Sequence, residues 1–141
     1  MNAPQLSVSL KNNLAEIERL SRLVDAFGEQ QGLAPELLYA INLALDEILT
    51  NIISYGYMDE AEHHIEVRIA VTSDEVVATV EDDARPFDPT AAPAPATDAA
   101  LAERKIGGLG IHLVRQLMDR VEYHRVDQKN CLIMSKKIPS K

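Results

Sequence analysis

Apolar residues in the second quarter of the chain recur at three- and four-residue steps, the spacing of one stripe along an α-helix. The stripe consists of Leu37, Leu38, Ile41, Leu45, Ile48, Leu49 and Ile52. The pattern predicts a helix over residues 36–54, with Pro35 in its first turn, where the missing N–H costs nothing. Glu47 and Asn51 lie beside the stripe, one turn apart on the same face.

The rest of the chain divides between helical stripes and alternating strands. In chain order, the patterns predict a strand over 5–10, a helix over 14–27, the helix just described, strands over 65–71 and 76–82, a helix from residue 111, and a closing hairpin of strands 121–126 and 131–134 around 127–130. Adjacent strands with helices grouped between them predict an α+β fold. We expect a two-layer sandwich, with a mixed, mostly antiparallel sheet and helices on one face.

Asp82 lies at the end of the predicted strand 76–82, on the side that faces the core. Val76, Ala78 and Val80 share its parity, so a period of two aims the carboxylate inward. Burying a carboxylate is costly unless it has partners. Its inward position therefore indicates a specific role.

Composition narrows the functional classes. The chain has 141 residues, which fits one domain over residues 1–141, and its net charge is −8. That charge argues against nucleic acid and anionic membrane surfaces as partners, and it permits docking to a basic patch on a protein. Cys131 is the only cysteine, so no internal disulfide forms. No apolar run approaching ~20 residues and no signal peptide are apparent, which predicts a cytoplasmic protein.

Residues 84–107 lie between the predicted strand 76–82 and the helix predicted from residue 111. The segment is rich in proline and alanine and ends in glycines, so it predicts a long lid-like loop. Gly108 and Gly110 open the following helix, where free backbone N–H groups form a ready anion site. A plain flexible turn is the alternative interpretation. Arg104 and Lys105 precede these glycines and are either phosphate contacts or solvated surface charges.

Each polar signal also has an ordinary explanation. Glu47 and Asn51 could simply form the polar edge of an amphipathic helix. Alternatively, Asn51 offers a neutral oxygen to a hard cation such as Mg²⁺, and Glu47 can deprotonate a hydroxyl or orient a water. The histidines have no neighbours at metal-ligand spacing, and no serine lies in a nucleophile-elbow motif.

The order of these signals resembles the histidine-kinase-like ATPase superfamily, also called GHKL, and its Bergerat ATP-binding fold. The quoted segments ALDEILTNIISYGY, VEDDARPFDP and GGLGIHLVRQLMD carry the likeness, together with the final CLIMSKK. Within the superfamily the chain is most similar to the small bacterial anti-sigma-factor serine/threonine protein kinases. The likeness covers nearly the whole sequence.

The resemblance implies a role for each motif. It makes Glu47 the catalytic base and Asn51 the ligand of the Mg²⁺ that accompanies ATP. It makes Asp82 the acceptor for the adenine amino group. The other residues that it places at the nucleotide are Ala84, Phe87, Lys105, Gly108, Leu109 and Gly110, with residues 84–107 folding over as the lid.

One motif departs from the family pattern. The family usually has Asp-x-Gly where this chain has Ala84 in the third position. If the backbone φ is positive there, alanine costs about 1 kcal/mol. Its methyl group could also crowd the adenine site. We therefore expect nucleotide binding that is weaker than in relatives with glycine.

The resemblance implies an ATP-dependent serine/threonine kinase that binds a sigma factor and phosphorylates an anti-sigma factor antagonist. It also implies pairing of two chains as a homodimer. The alternative is a protein-sequestering module, with or without bound nucleotide, that has no kinase activity; Ala84 favours it. A third hypothesis, ATP hydrolysis that drives a conformational cycle, is less favoured because no second domain is apparent.

Overall fold

A computed structural model of the chain describes residues 3–86 and 108–139, with side chains from residue 112 onward in the second range. The elements are β1 (Gln5–Lys11), α1 (Ala15–Gln30), α2 (Pro35–Tyr55), β2 (His64–Val71), β3 (Glu75–Asp82), α3 (Gly108–Leu117), β4 (Arg120–Val126) and β5 (Lys129–Lys137). They follow the predicted order, with α3 beginning slightly earlier than predicted.

The five strands form one sheet in the order β1-β2-β3-β5-β4. Each neighbouring pair is antiparallel. Alternate residues of β1, β2, β3 and β5 are buried, and they pack with the buried residues of α1, α2 and α3 in one hydrophobic core. The α+β architecture predicted from the sequence is therefore confirmed, and the sheet is antiparallel throughout its described strands rather than mixed.

Helix α2 supplies most of the helical side of that core. Its buried residues are Leu37, Leu38, Ala40, Ile41, Ala44, Leu45, Ile48 and Leu49. Helix α2 has 21 residues and contains an 18-residue window with a mean hydropathy of 1.3, so by length and composition alone it is long and apolar enough to cross a membrane. The expectation that the chain has no such stretch does not hold by this measure. The core helix of a globular fold passes the same test, and 44% of the apolar window is buried here. This feature is therefore weak support for a membrane span.

The closing hairpin has a tighter turn than predicted. Only Asp127 and Gln128 connect β4 to β5, with φ values of 52° and 65°. Two successive positive φ values match the twist of a two-residue hairpin turn. The predicted turn over 127–130 is wrong at its second half, because Lys129 and Asn130 belong to β5. This shift places Asn130 directly opposite Asp82.

Candidate functional site

Asp82 lies at the end of β3 with only 5% of its surface exposed. Its Oδ1 accepts hydrogen bonds from Asn130 Nδ2 and from the backbone N–H of Ala84, each at 2.9 Å. Burial raises the pKa of the Asp82 carboxyl, and these two hydrogen bonds oppose that rise. The inward orientation that the alternating pattern predicted is therefore observed, with donors that hold one carboxylate oxygen in place.

Glu47 and Asn51 lie one turn apart on α2, and both are half-buried. Asn51 Nδ2 is buried and has no hydrogen-bond partner among the described residues. Buried amide donors almost always have an acceptor, so an unpaired one is expected where a bound molecule supplies the missing oxygen. The Asn51 carboxamide also has an oxygen of the type that coordinates hard cations such as Mg²⁺. These features fit the Mg²⁺ and ATP phosphates that the resemblance implies.

The turn after Asp82 is attached to the C-terminal end of α2. Arg85 N–H donates to the carbonyl oxygen of Gly56 at 3.0 Å. A Cβ added to Gly56 would lie 2.8 Å from Ala84 Cβ and 2.6 Å from the Ile52 oxygen. Gly56 is therefore required by the close approach of the two segments. The helix that carries Glu47 and Asn51 and the strand that ends in Asp82 meet at this contact.

Some of the remaining candidate site residues lie within the described part of the chain, and others lie outside it. Gly108, Leu109 and Gly110 form the first turn of α3, and α3 packs against α2. Phe87 and Lys105, and most of the proposed lid over residues 84–107, lie outside the described residues. The roles assigned to all these residues remain predictions.

Ala84 does not have the positive φ that the sequence analysis considered for this position. Among the described non-glycine residues, only those of the β4–β5 turn have positive φ values. Ala84 is 4% exposed, and its methyl group is directed at Gly56. Alanine in this motif position is therefore accommodated by glycine at the end of α2, without backbone strain at Ala84.

We expect Ala84→Gly to leave the affinity for ATP within about twofold of the wild-type value, because it relieves no positive φ. Loss of the buried methyl group should lower stability by about 1 kcal/mol. Isothermal titration calorimetry and urea unfolding measure the two effects. Substantially tighter ATP binding by the variant would show that the methyl group crowds the nucleotide.

A second polar cluster adjoins Asp82 on the loop between α2 and β2. The His63 ring stacks on Tyr57 with a centroid distance of 4.2 Å. His63 Nε2 lies 2.8 Å from Asp59 Oδ1, and Nδ1 lies 3.2 Å from Asp83 Oδ2. Both ring nitrogens face carboxylates, so both donate only when the imidazole is protonated. Hydrogen bonds to Asp59 and Asp83 accordingly raise the pKa of His63.

Tyr57 stands between this cluster and Asp82. Its hydroxyl oxygen is buried without a hydrogen-bond partner in the described part of the chain. Burial, together with the charges of Asp82 and Asp83, raises the Tyr57 pKa far above its usual value. The phenol therefore stays neutral at physiological pH.

The His63 cluster should make stability depend on pH. A histidine whose pKa is raised by folding stabilises the native state fully below its unfolded pKa of about 6.5, and that contribution is lost as pH rises through the folded pKa. We therefore expect the melting temperature of the wild-type protein to fall between pH 6 and pH 8.5 by more than that of His63→Gln. Differential scanning calorimetry measures the difference.

The matched control for this test is His64→Gln. His64 is the next residue, its side chain is 55% exposed, and its nearest carboxylate, Glu62, is 3.8 Å away. Its replacement should leave the pH profile of the wild-type protein unchanged. Equal pH profiles for His63→Gln and the wild-type protein would contradict a charged His63 in the native state.

Asn130, Arg125, Tyr57 and His63 are the residues near Asp82 that sequence reasoning missed. For Asn130 a signal was present, since it shares the parity of the buried Leu132 and Met134. The overlong predicted turn concealed that parity. Nothing in the sequence pattern brings Tyr57 and His63 together, because their contact depends on an irregular loop.

The antiparallel sheet packed against helices has counterparts among solved structures. The chain aligns with a structure of the RsbU and RsbW domains of Rv1364c from Mycobacterium tuberculosis at a TM-score of 0.67 and 13% identity, covering 98% of this chain and 33% of that one. It also aligns with the histidine kinase domain from Erythrobacter litoralis EL346 at a TM-score of 0.56 and 20% identity, covering 89% and 60%. The chain therefore shares the α+β fold of these two domains.

Sequence comparison makes the assignment more specific. Residues 10–136 match the family described as histidine kinase-like ATPase domain, and the chain belongs to that family. It is 30% identical over 99 residues to the serine/threonine-protein kinase BtrW of Bordetella bronchiseptica, covering 70% of each chain. It is 25% identical over 140 residues to the serine-protein kinase RsbW of Listeria monocytogenes, covering 96% of this chain and 87% of that protein. The predicted superfamily is therefore confirmed.

Proposed function

We propose that this protein is an ATP-dependent serine/threonine kinase that acts as an anti-sigma regulatory factor and phosphorylates an anti-sigma factor antagonist. Membership of the ATPase family and relatives named as serine or serine/threonine kinases support the catalytic part. The observation that carries the proposal is the buried, unpaired amide of Asn51, one turn from Glu47 on α2. A buried amide donor with no partner among the described residues supports a role for Asn51 in binding a ligand.

Each residue has one task in this proposal. When bound, Mg·ATP supplies the γ-phosphoryl group and the cation that neutralises its charge. Asn51 holds the cation, Asp82 accepts a hydrogen bond from the adenine amino group, and Glu47 accepts the proton of the substrate hydroxyl. Backbone N–H groups in the first turn of α3, at Gly108, Leu109 and Gly110, bind the phosphates. Ala84 lines the nucleotide site, and Phe87 and Lys105 are further nucleotide contacts from the lid.

The proposed partners are proteins. A sigma factor and an antagonist bind the acidic chain, whose net charge of −8 disfavours nucleic acid and anionic membrane surfaces. We further propose a single domain over residues 1–141 in the cytoplasm and pairing as a homodimer, since symmetric pairs are the commonest oligomers.

Two measurements test the proposal. Incubation with γ-labelled ATP and a candidate anti-sigma factor antagonist from the same organism should place label on a serine or threonine of the antagonist. A thermal-shift series should show stabilisation by ATP and ADP with Mg²⁺, about 2.7 kcal/mol at ~100 times the dissociation constant. Absence of any nucleotide-dependent shift would refute the ATP site.

A specific surface favours the sequestering module as the second candidate. An apolar groove of about 620 Å³ runs between α1 and α2. Leu14 and Tyr39 line it and are 53% and 68% exposed. Exposed apolar residues rimmed by polar ones occur at protein–protein interaction sites. Formation of a stable complex with the sigma factor without transfer of label to the antagonist would favour this function over the kinase.

A further inference from the structure

Asn130 is the buried side chain in closest contact with Asp82. It is 6% exposed and lies on β5, directly opposite Asp82 on β3. Its Nδ2 donates to Asp82 Oδ1 at 2.9 Å, to the Ala84 carbonyl oxygen at 3.1 Å and to the Arg85 carbonyl oxygen at 3.0 Å. One amide group thus holds both the carboxylate and the turn that follows it.

The other end of the Asn130 amide is fixed by the neighbouring strand. Arg125 Nη1 donates to Asn130 Oδ1 at 2.8 Å, and the Tyr123 hydroxyl donates to the same oxygen. Arginine has no acceptor, whereas carbonyl oxygens and an ionised carboxylate have no donor. The amide can satisfy both sides only with Oδ1 toward Arg125 and Nδ2 toward Asp82. Its orientation is therefore determined by the chemistry of its neighbours.

This orientation decides what Asp82 can recognise. An ionised carboxylate only accepts hydrogen bonds, while a protonated one also donates. Adenine presents an exocyclic amino group where guanine presents a carbonyl oxygen. A carboxylate kept ionised by a neighbouring donor therefore favours adenine and disfavours guanine.

We propose that Asn130 is a positioning residue that gives the nucleotide site its preference for adenine over guanine, by presenting a donor to Asp82 Oδ1. The inference rests on the proposed ATP site. It adds the source of base selectivity, which lies on the β4–β5 hairpin rather than in the motifs of α2 and α3. Arg125 and Tyr123 support it by holding the Asn130 amide in one orientation.

The pH dependence of selectivity follows from the surroundings of Asp82. Burial raises the pKa of its carboxyl, the Asn130 and Ala84 hydrogen bonds lower it, Asp83 raises it and Arg125 lowers it. Removing the Asn130 donor should raise the pKa further, so Asp82 takes up a proton at a higher pH than in the wild-type protein. The preference for ATP should then weaken as pH falls. The charges of Asp83 and Arg125 act on this carboxylate, and its own charge acts on Tyr57 and Cys131. Asp82 also lines a pocket with other charged or titratable residues, which are Glu62, His63, His64, Glu66, Glu81, Asp83 and Lys129.

The test compares the wild-type protein with Asn130→Leu, which keeps the approximate shape of asparagine and removes its donors. Dissociation constants for Mg·ATP and Mg·GTP are measured by calorimetry between pH 5.5 and pH 8.5. We expect ATP binding about tenfold weaker at pH 7, because a hydrogen bond to a charged group is lost. The ATP-to-GTP preference should fall by a similar factor and recover toward high pH.

Asn13→Leu is the matched control for general destabilisation. Asn13 Oδ1 accepts the Ala15 N–H at the start of α1, so this replacement removes a hydrogen bond remote from Asp82. It should lower the melting temperature without changing base preference. Wild-type selectivity at every pH in Asn130→Leu would overturn the inference while leaving the ATP site intact. Failure of the wild-type protein to bind ATP would instead refute the proposed function and this inference with it.

Arg125→Met keeps the inference testable if Asn130→Leu does not fold. Arg125 is exposed on the edge strand β4, so its loss should be tolerated. The variant removes the Arg125 hydrogen bond to Asn130 Oδ1 and the positive charge that lowers the pKa of Asp82, so it should reduce the ATP-to-GTP preference severalfold at low pH. Arg120→Met, on the same strand in an exposed ion pair with Glu122, should have no effect. An unchanged preference in Arg125→Met would overturn the inference.

Discussion

Replacing Glu47 by alanine should abolish phosphoryl transfer to the antagonist while leaving the affinity for Mg·ATP nearly unchanged. Glu47 is half-buried on α2, one turn before Asn51, and in the proposed mechanism it accepts the proton of the substrate hydroxyl. A positioned general base contributes on the order of 10²–10⁴-fold to rate. We therefore expect single-turnover transfer of labelled phosphate to fall by at least about 10²-fold, with the ATP dissociation constant within about twofold of the wild-type value.

Glu36→Ala is the matched control for this prediction. It makes the same chemical change on the same helix, but Glu36 is exposed in the first turn, three turns from Glu47. Its loss should alter stability by a few tenths of a kcal/mol through the helix dipole and leave transfer unaffected. A Glu47→Ala variant that loses ATP binding together with transfer would assign Glu47 a structural role. One that keeps full transfer would remove it from catalysis.

Much of the fold followed from two periodicities. The stripe on α2 and the alternation on β2 and β3 depend on local geometry and on one buried face, and both are visible in a single sequence. The same alternation predicted the burial of Asp82 at the end of β3. The burial of a residue could be predicted from the sequence where it depends only on the periodicity of the helix or strand that contains the residue.

Features that depend on contacts between elements were not predictable in this way. The β4–β5 turn uses Asp127 and Gln128 at positive φ, without the glycine that usually marks a two-residue turn. Missing that turn hid Asn130 from the parity argument. The effect of Ala84 was likewise misjudged, because its methyl group is accommodated by Gly56, 28 positions earlier in the chain.

The candidate site thus combines parts of different origin. Glu47, Asn51 and Asp82 come from motifs that sequence reasoning found, whereas the groups that set the state of Asp82 come from the β4–β5 hairpin and from the loop after α2. These supporting groups act through burial and through hydrogen bonds with Asp82 or its neighbours. Motif matching identifies the residues proposed to contact the ligand, and the surrounding structure determines their charge and orientation.

Replacing Asn51 by alanine should remove the Mg²⁺-dependent part of ATP affinity without destabilising the free protein. Loss of a metal ligand should weaken Mg·ATP binding by on the order of 10–100-fold, with little change in binding measured in EDTA. The stability expectation is opposite to that for most polar residues. Because Asn51 Nδ2 is buried without a partner, its removal relieves an unpaired-donor cost of about 1–3 kcal/mol.

Asn42→Ala distinguishes this behaviour from the ordinary loss of an asparagine on α2. Asn42 Nδ2 donates to Asp25 Oδ1 at 2.8 Å, so its amide is already satisfied within the protein. Urea unfolding of the free protein should therefore show Asn42→Ala less stable than the wild-type protein, and Asn51→Ala equally stable or more so. Calorimetry with and without Mg²⁺ should show the reverse ranking for ATP. If Asn51→Ala unfolds more easily and still binds Mg·ATP normally, Asn51 serves the fold rather than the ligand, because its amide must then have a partner within the protein.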